Sequence, residues 1–133
     1  MVLAVDVGTV RVGVAASDPH RILASPVETV AAPGVERVVA LIAEREAVEI
    51  IVGLPTSLSG QSASASAQMA RDWAAALTAQ VDVPVRLVDE RLTTVSATAA
   101  LRASGRSAKQ SRALIDQAAA VALLQGYLDT TAR

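Results

Sequence analysis

Val2-Leu-Ala-Val-Asp-Val-Gly-Thr-Val-Arg-Val-Gly-Val14 decides how this chain is read. Its first half is an apolar run rich in β-branched residues, the signature of a buried strand. Gly8-Thr9 interrupts it, and a second β-rich run follows from Val10 to Ala16. Two such runs joined by a short glycine-containing link read as a hairpin. One carboxylate, Asp6, stands near the end of the first strand. A buried, unpaired carboxylate is costly, so it neutralises, pairs or binds a cation. Two readings are open for it: a hydrogen bond to the adjacent turn, or a chemical role.

The following elements can be placed outward from the hairpin. Asp18-Pro19-His20 makes a turn. A third strand is expected within residues 21–30, with Pro26 implying an edge position or a bulge. Pro33 suits the first turn of a helix, and Val35, Val38, Val39 and Ile42 recur at helical spacing over 34–46. Residues 50–55 form a short apolar strand stopped by Gly53 and Pro55, and 56–62 a polar loop. Met69, Trp73 and Leu77 mark the inner face of a helix over 65–80. Residues 83–88 form the last strand, running into Asp89-Glu90-Arg91. Thr93 or Thr94 caps a helix that ends before Gly105. Residues 111–128 are apolar on nearly every face, which predicts a helix buried between other elements; Asp116 is out of place there unless it is used.

The order β-β-β-α-β-α-β-α-α predicts an α/β fold in one domain over residues 1–133. Its sheet is mixed and five-stranded, antiparallel through strands 3-2-1 and parallel through 1-4-5 after right-handed crossovers, with flanking helices.

Composition narrows the chemistry. There is no cysteine, which excludes disulfides, thiolate metal sites and thiol catalysis. A serine–histidine triad would rest on the lone His20. With no Phe, one Trp and one Tyr, the core is built from Val, Leu, Ile and Ala, and base stacking is a poor candidate for the main binding mode. Net charge is −1, yet six of the 12 basic residues fall between Arg86 and Arg112, around the acidic pair Asp89-Glu90. No leader peptide or membrane-spanning run is evident, so a cytoplasmic protein without a membrane partner is expected.

Three acidic positions therefore stand out: Asp6, Asp89-Glu90 and Asp116. Carboxyl ends of neighbouring parallel strands converge on one sheet edge, where ligands bind. Three carboxylates within about 5 Å repel pairwise by about 3 kcal/mol at an effective dielectric of 20, which a shared cation relieves. Oxygen-only ligation suits Mg²⁺ or Mn²⁺. Two such ions are a recurring solution for phosphodiester hydrolysis, with nearby basic residues holding backbone phosphates.

Four blocks in order, Asp6-Val-Gly-Thr-Val-Arg-Val-Gly-Val-Ala-Ala-Ser-Asp18, Ile51-Val-Gly-Leu-Pro55 with Gly60, Asp89-Glu-Arg-Leu-Thr-Thr94 and Asp116-Gln-Ala-Ala-Ala120, resemble the YqgF/RuvX family. The resemblance implies an RNase H-like fold and a metal-dependent nuclease acting on structured nucleic acid. The roles it suggests are maturation of the 16S rRNA precursor and resolution of Holliday junctions. Carried over, Asp6, Glu90 and Asp116 would be the catalytic metal ligands. Strand alternation puts Asp89 and Glu90 on opposite sides; Glu90 is preferred as the ligand, Asp89 being kept as a candidate that otherwise pairs with Arg91 or a helix N-terminus. Arg11, Arg91, Thr93, Arg102, Arg106, Lys109 and Arg112 are the candidate nucleic-acid contacts. Where RuvC-type enzymes carry a further acid one turn after the last Asp, this chain has Ala119. RNA versus DNA as substrate and a homodimer are left open.

Two other classes fit parts of the sequence. Asp6-Val-Gly-Thr9 resembles the first phosphate motif of sugar-kinase ATPases, which need two domains closing over ATP. A non-catalytic nucleic-acid- or ribosome-binding module would keep the fold and the acids without turnover.

Overall fold

A computed structural model describes residues 1–55, 65–89 and 108–131; for 108–116 and 131 it describes the backbone alone. The elements are β1 (Val2–Val7), β2 (Arg11–Ser17), β3 (Ala24–Ala31), α1 (Val35–Arg45), β4 (Glu49–Leu54), α2 (Ala65–Thr78), β5 (Val85–Asp89) and α3 (Ala108–Thr131). The sheet order is β3-β2-β1-β4-β5, antiparallel on the β3-β2-β1 side and parallel through β1, β4 and β5. This is the expected topology.

The hairpin closes where the sequence placed it. The Gly8 N–H donates to the Arg11 carbonyl at 2.9 Å. A Cβ at Gly8 would lie 2.6 Å from that carbonyl oxygen, closer than atoms tolerate, so the turn requires glycine. Pro26 meets both expectations: β3 is the sheet edge, and its register shifts against β2 between Val14 (opposite Glu28) and Ala15 (opposite Pro26). At the far end of β2, the Asp18 carboxylate accepts backbone N–H groups from Ile22 (2.6 Å), Leu23 (2.8 Å) and His20 (3.2 Å). The Leu23 and Ile22 bonds hold its pKa below the usual carboxylate value.

Two expectations need correction. Pro33 is not in the first helical turn: α1 begins at Val35 behind Gly34, whose φ of 64° is left-handed. A Cβ at Gly34 would sit 2.7 Å from Val30 Cγ1, so glycine is required and the proline is set outside the helix. Its carbonyl instead accepts the Trp73 indole N–H from α2. The last helix is longer than 111–128, and it is not buried on all sides. Among its described side chains Ala120, Leu123, Leu124 and Leu128 are buried, while their neighbours are only half-covered. Its broad apolarity comes largely from alanines, which tolerate partial exposure at little cost.

Alternation sorts the sheet's side chains into two layers. Leu3, Val5, Val12, Val14, Ile50 and Val52 pack with Val38, Leu41, Trp73 and Leu77 of α1 and α2. Val2, Ala4, Ala15 and Ile51 face the other way, against Ala120, Leu123, Leu124 and Leu128 of α3.

Candidate metal and nucleic-acid site

Asp6 follows Ala4 by two residues, so by alternation it belongs to the α3 face, at the carboxyl end of β1. It is half-buried, and among the described residues its carboxylate has no hydrogen-bond or ion-pair partner. The turn-bonding reading of Asp6 therefore finds no support among those residues. Its cross-strand neighbour on β2 is Gly13. On β4, Val52 pairs with Val5, and the next residue along is Gly53. Both flanking positions on the sheet thus lack side chains. A half-buried carboxylate oxygen with no partner among the described residues fits a hard divalent cation.

The long helix approaches this edge in a defined direction. Gln117 Nε2 donates to Thr29 Oγ1 on β3 at 2.9 Å. Eight residues later, Gln125 accepts from the Ala24 N–H at 3.0 Å and donates to the Ile22 carbonyl at 2.9 Å. The Tyr127 hydroxyl donates to Glu49 Oε2 at 2.6 Å, beside Val2 at the opposite end of β1. α3 therefore runs antiparallel to β1. Its residue 116, one before Gln117, comes to the edge where β1 ends at Asp6 and Val7. Thr29 pairs with Gly13, and Gly13 with Asp6, so Thr29 and Asp6 share one cross-strand row. The backbones of the row's ends are about 10 Å apart at ordinary strand spacing.

The other sequence candidates distribute as follows. Asp89 is half-buried and closes β5 opposite Leu54. It has the parity of Val85, which packs on the α1/α2 side, whereas Val88 packs on the α3 side. Arg11 opens β2 with the parity of Ala15, on the α3 face. The backbones of Lys109, Arg112 and Asp116 lie in the first half of α3. Glu90, Arg91, Thr93, Arg102 and Arg106 lie outside the described residues, as does the helix expected to end before Gly105. Arg86, part of the basic segment, sits away from this edge and pairs with Glu49 at 2.7 Å. His20 is exposed in the turn after β2, at the other end of the sheet from Asp6.

What residue patterns missed is the polar fastening of α3. Glu49 is 7% exposed and takes Arg21 at 3.1 Å, Arg86 at 2.7 Å and the Tyr127 hydroxyl. The signal is a lone acid opening an apolar strand: β4 starts at Glu49, one residue before the apolar run from Ile50. A cleft of about 760 Å³ beside Val7, Pro33, Met69 and Trp73 opens on the α1/α2 side, not the side of Asp6.

Comparison with known proteins agrees with this fold. A family model described as "RuvX: Holliday junction resolvase" matches residues 1–130. This chain belongs to that family. It is 53% identical over 140 residues to a Rhodococcus opacus protein named "Putative pre-16S rRNA nuclease", covering 98% of this chain and 78% of the relative. A Mycobacterium ulcerans protein of the same name is 57% identical over 132 residues, covering 96% and 77%. Among solved structures, Thermus thermophilus RuvC bound to a Holliday junction substrate aligns over 98% of this chain and 95% of its own, with TM-score 0.59 and 16% identity. Fowlpox virus resolvase with junction DNA aligns over 99% of both chains, with TM-score 0.59 and 9% identity. At those identities the structures establish the fold, the RNase H-like one of RuvC-type resolvases, whose enzymes use divalent metals. Family and named relatives together support a hydrolase acting on phosphodiester bonds. No described helix is long and apolar enough to cross a membrane.

Proposed function

We propose that this RuvX-family chain cuts phosphodiester bonds in structured nucleic acid at a site formed by Asp6, Glu90 and Asp116 with Mg²⁺ or Mn²⁺. The observation that carries the reading is the direction of α3, which brings residue 116 to the edge where Asp6 stands. Asp89 has the parity of Val85 on the α1/α2 side, away from the face of Asp6, which disfavours it as a ligand against Glu90 and leaves it to pair with Arg91 or a helix N-terminus. The three carboxylates would hold the cation. When bound, it supplies water activation and charge neutralisation at the phosphate. The chain's own residues do the rest. Arg11, Arg91, Arg102, Arg106, Lys109, Arg112 and the Thr93 hydroxyl hold backbone phosphates and set the register of the strand.

The 16S rRNA precursor, in the cytoplasm, is the first substrate to test. Relatives at 50–57% identity carry that activity in their names, whereas the junction-bound structures share only 9–16% identity. With Ala119 where the RuvC type has an acid, this chain carries one ligand fewer for branched DNA.

Asp6→Asn keeps the side chain's size and removes its charge. It is expected to lower Mn²⁺-dependent cleavage of a pre-16S fragment and of a four-way junction by at least about 100-fold, equivalent to roughly 3 kcal/mol of transition-state stabilisation. Unchanged turnover in the purified variant would overturn the site. Salt-sensitive RNA binding by the unmodified chain without turnover would make it a binding module instead.

A further inference from the structure

We propose that Gln117 and Thr29 are a positioning pair that sets where Asp116 stands relative to Asp6. The inference rests on the metal-site reading above. Gln117 is the residue next to Asp116, and its amide donates to Thr29 Oγ1 at 2.9 Å across 88 residues of chain. Thr29 lies in the cross-strand row of Gly13 and Asp6. The tie therefore indexes the helix to the same row that carries the first ligand, with a glycine between.

The helix needs such an index. Its described apolar contacts with the sheet set Ala120, Leu123, Leu124 and Leu128, beside Val121 and Tyr127, against Val2, Ala4, Ala15 and Ile51, beside Ala24 and Val88. Apolar burial is non-directional, and a surface rich in alanine offers few knobs to resist sliding. A one-residue slip moves a helix by 1.5 Å, whereas ligand geometry must hold to about 0.5 Å. The other polar ties, Gln125 to Ala24 and Ile22 and Tyr127 to Glu49, act at the far end, some 12–15 Å further along the helix. Gln117 is the described tie nearest Asp116. Both partners are uncharged, so the tie neither competes with a cation for Asp6 nor changes with pH.

Thr29→Val deletes the hydroxyl but keeps the branched shape that suits an edge strand. Gln117→Leu deletes the other partner, and Thr29→Ser retains the hydroxyl. The readouts are the Mn²⁺ concentration giving half of the metal-induced rise in melting temperature, and that giving half-maximal cleavage. Thr29→Val and Gln117→Leu are each expected to raise both about tenfold, as for other losses behind a metal ligand. The double variant is expected to be no worse than either single one, and Thr29→Ser to restore the unmodified titration within about twofold. If Gln117→Leu does not fold, Thr29→Val against Thr29→Ser decides. A wild-type Mn²⁺ titration in Thr29→Val, with only its metal-free melting temperature lowered, would reduce the pair to an ordinary structural contact and overturn the proposal. Asp6→Asn reports separately on the underlying reading: if it titrates with Mn²⁺ like the unmodified chain, the metal site itself is wrong, and the positioning role falls with it.

Discussion

The two faces of the sheet are held by different physics. On the α1/α2 face, Leu3, Val5, Val12, Val14, Ile50 and Val52 meet Leu41, Trp73 and Leu77 in a broad apolar layer. On the α3 face the apolar patch is, among the described residues, smaller and rich in alanine, and polar ties lie to either side of it: Gln117–Thr29 at one end, Gln125 and Tyr127–Glu49 at the other. Asp6 belongs to this second face. The contrast teaches where function can be placed. An apolar layer gives free energy in proportion to area but fixes position weakly. Directional bonds give less energy and more placement, and a site whose ligands come from a strand and a helix needs placement. Each face carries one aromatic reporter, the sole tryptophan on one and the sole tyrosine on the other.

The largest effects come from attacking the two layers in parallel. Leu77→Ala and Leu124→Ala each remove a fully buried leucine, and each is expected to cost about 2–5 kcal/mol in denaturant unfolding. The faces part company in what survives. Leu77→Ala should leave the Mn²⁺ titration of the remaining folded protein unchanged, since α2 contributes no ligand. Leu124→Ala loosens the helix that carries Asp116 and should raise the half-saturating Mn²⁺ several-fold. If both variants shift the metal titration equally, the division of labour between the faces is wrong.

That division also explains what was legible in the sequence. Strand periodicity, Gly8 in the turn, Pro26 at the edge bulge and the alternation of β and α segments are local signals, and among the described residues the strands and helices they marked are present with the expected sheet order. Asp6 was legible because a lone acid in an apolar run has few innocent explanations. Pro33 was misplaced because the deciding fact is not local: a left-handed Gly34, where a Cβ would meet Val30, stands between the proline and the helix. The burial of the last helix was overestimated because alanine counts as apolar wherever it sits. The ties of α3 were invisible because Gln117 and Thr29, or Tyr127 and Glu49, are joined by contacts across 88 and 78 residues of chain. No periodicity marks a pair that only the fold creates.

A smaller perturbation sharpens the comparison at the far end of α3. Tyr127→Phe removes one donor from the buried Glu49 carboxylate and leaves Arg21 and Arg86 in place. The expected cost is about 1.5–3 kcal/mol, typical for a hydrogen bond to a charged acceptor. The metal titration should move less than in Thr29→Val, because the lost tie is remote from residue 116.

The smallest effect is a pH dependence confined to the same face. Burial raises the Tyr127 pKa above the ordinary tyrosine value, and the hydrogen bond to Glu49 with its negative charge adds to the shift; Arg86 and Arg21 oppose it. The native state therefore holds the phenolic proton more tightly than the unfolded chain does. Stability from this source is complete below the ordinary tyrosine value near 10 and is lost as pH rises through the higher native value. The tyrosine is alone in the sequence, so the ultraviolet absorbance of tyrosinate follows it directly. The native titration should lie alkaline of the unfolded one, and the fall in melting temperature above pH 10 should be shallower in Tyr127→Phe than in the unmodified chain. Coincident native and unfolded titrations would mean that the hydroxyl is not held by Glu49, and the far-end anchor of α3 would reduce to Gln125 and the leucines.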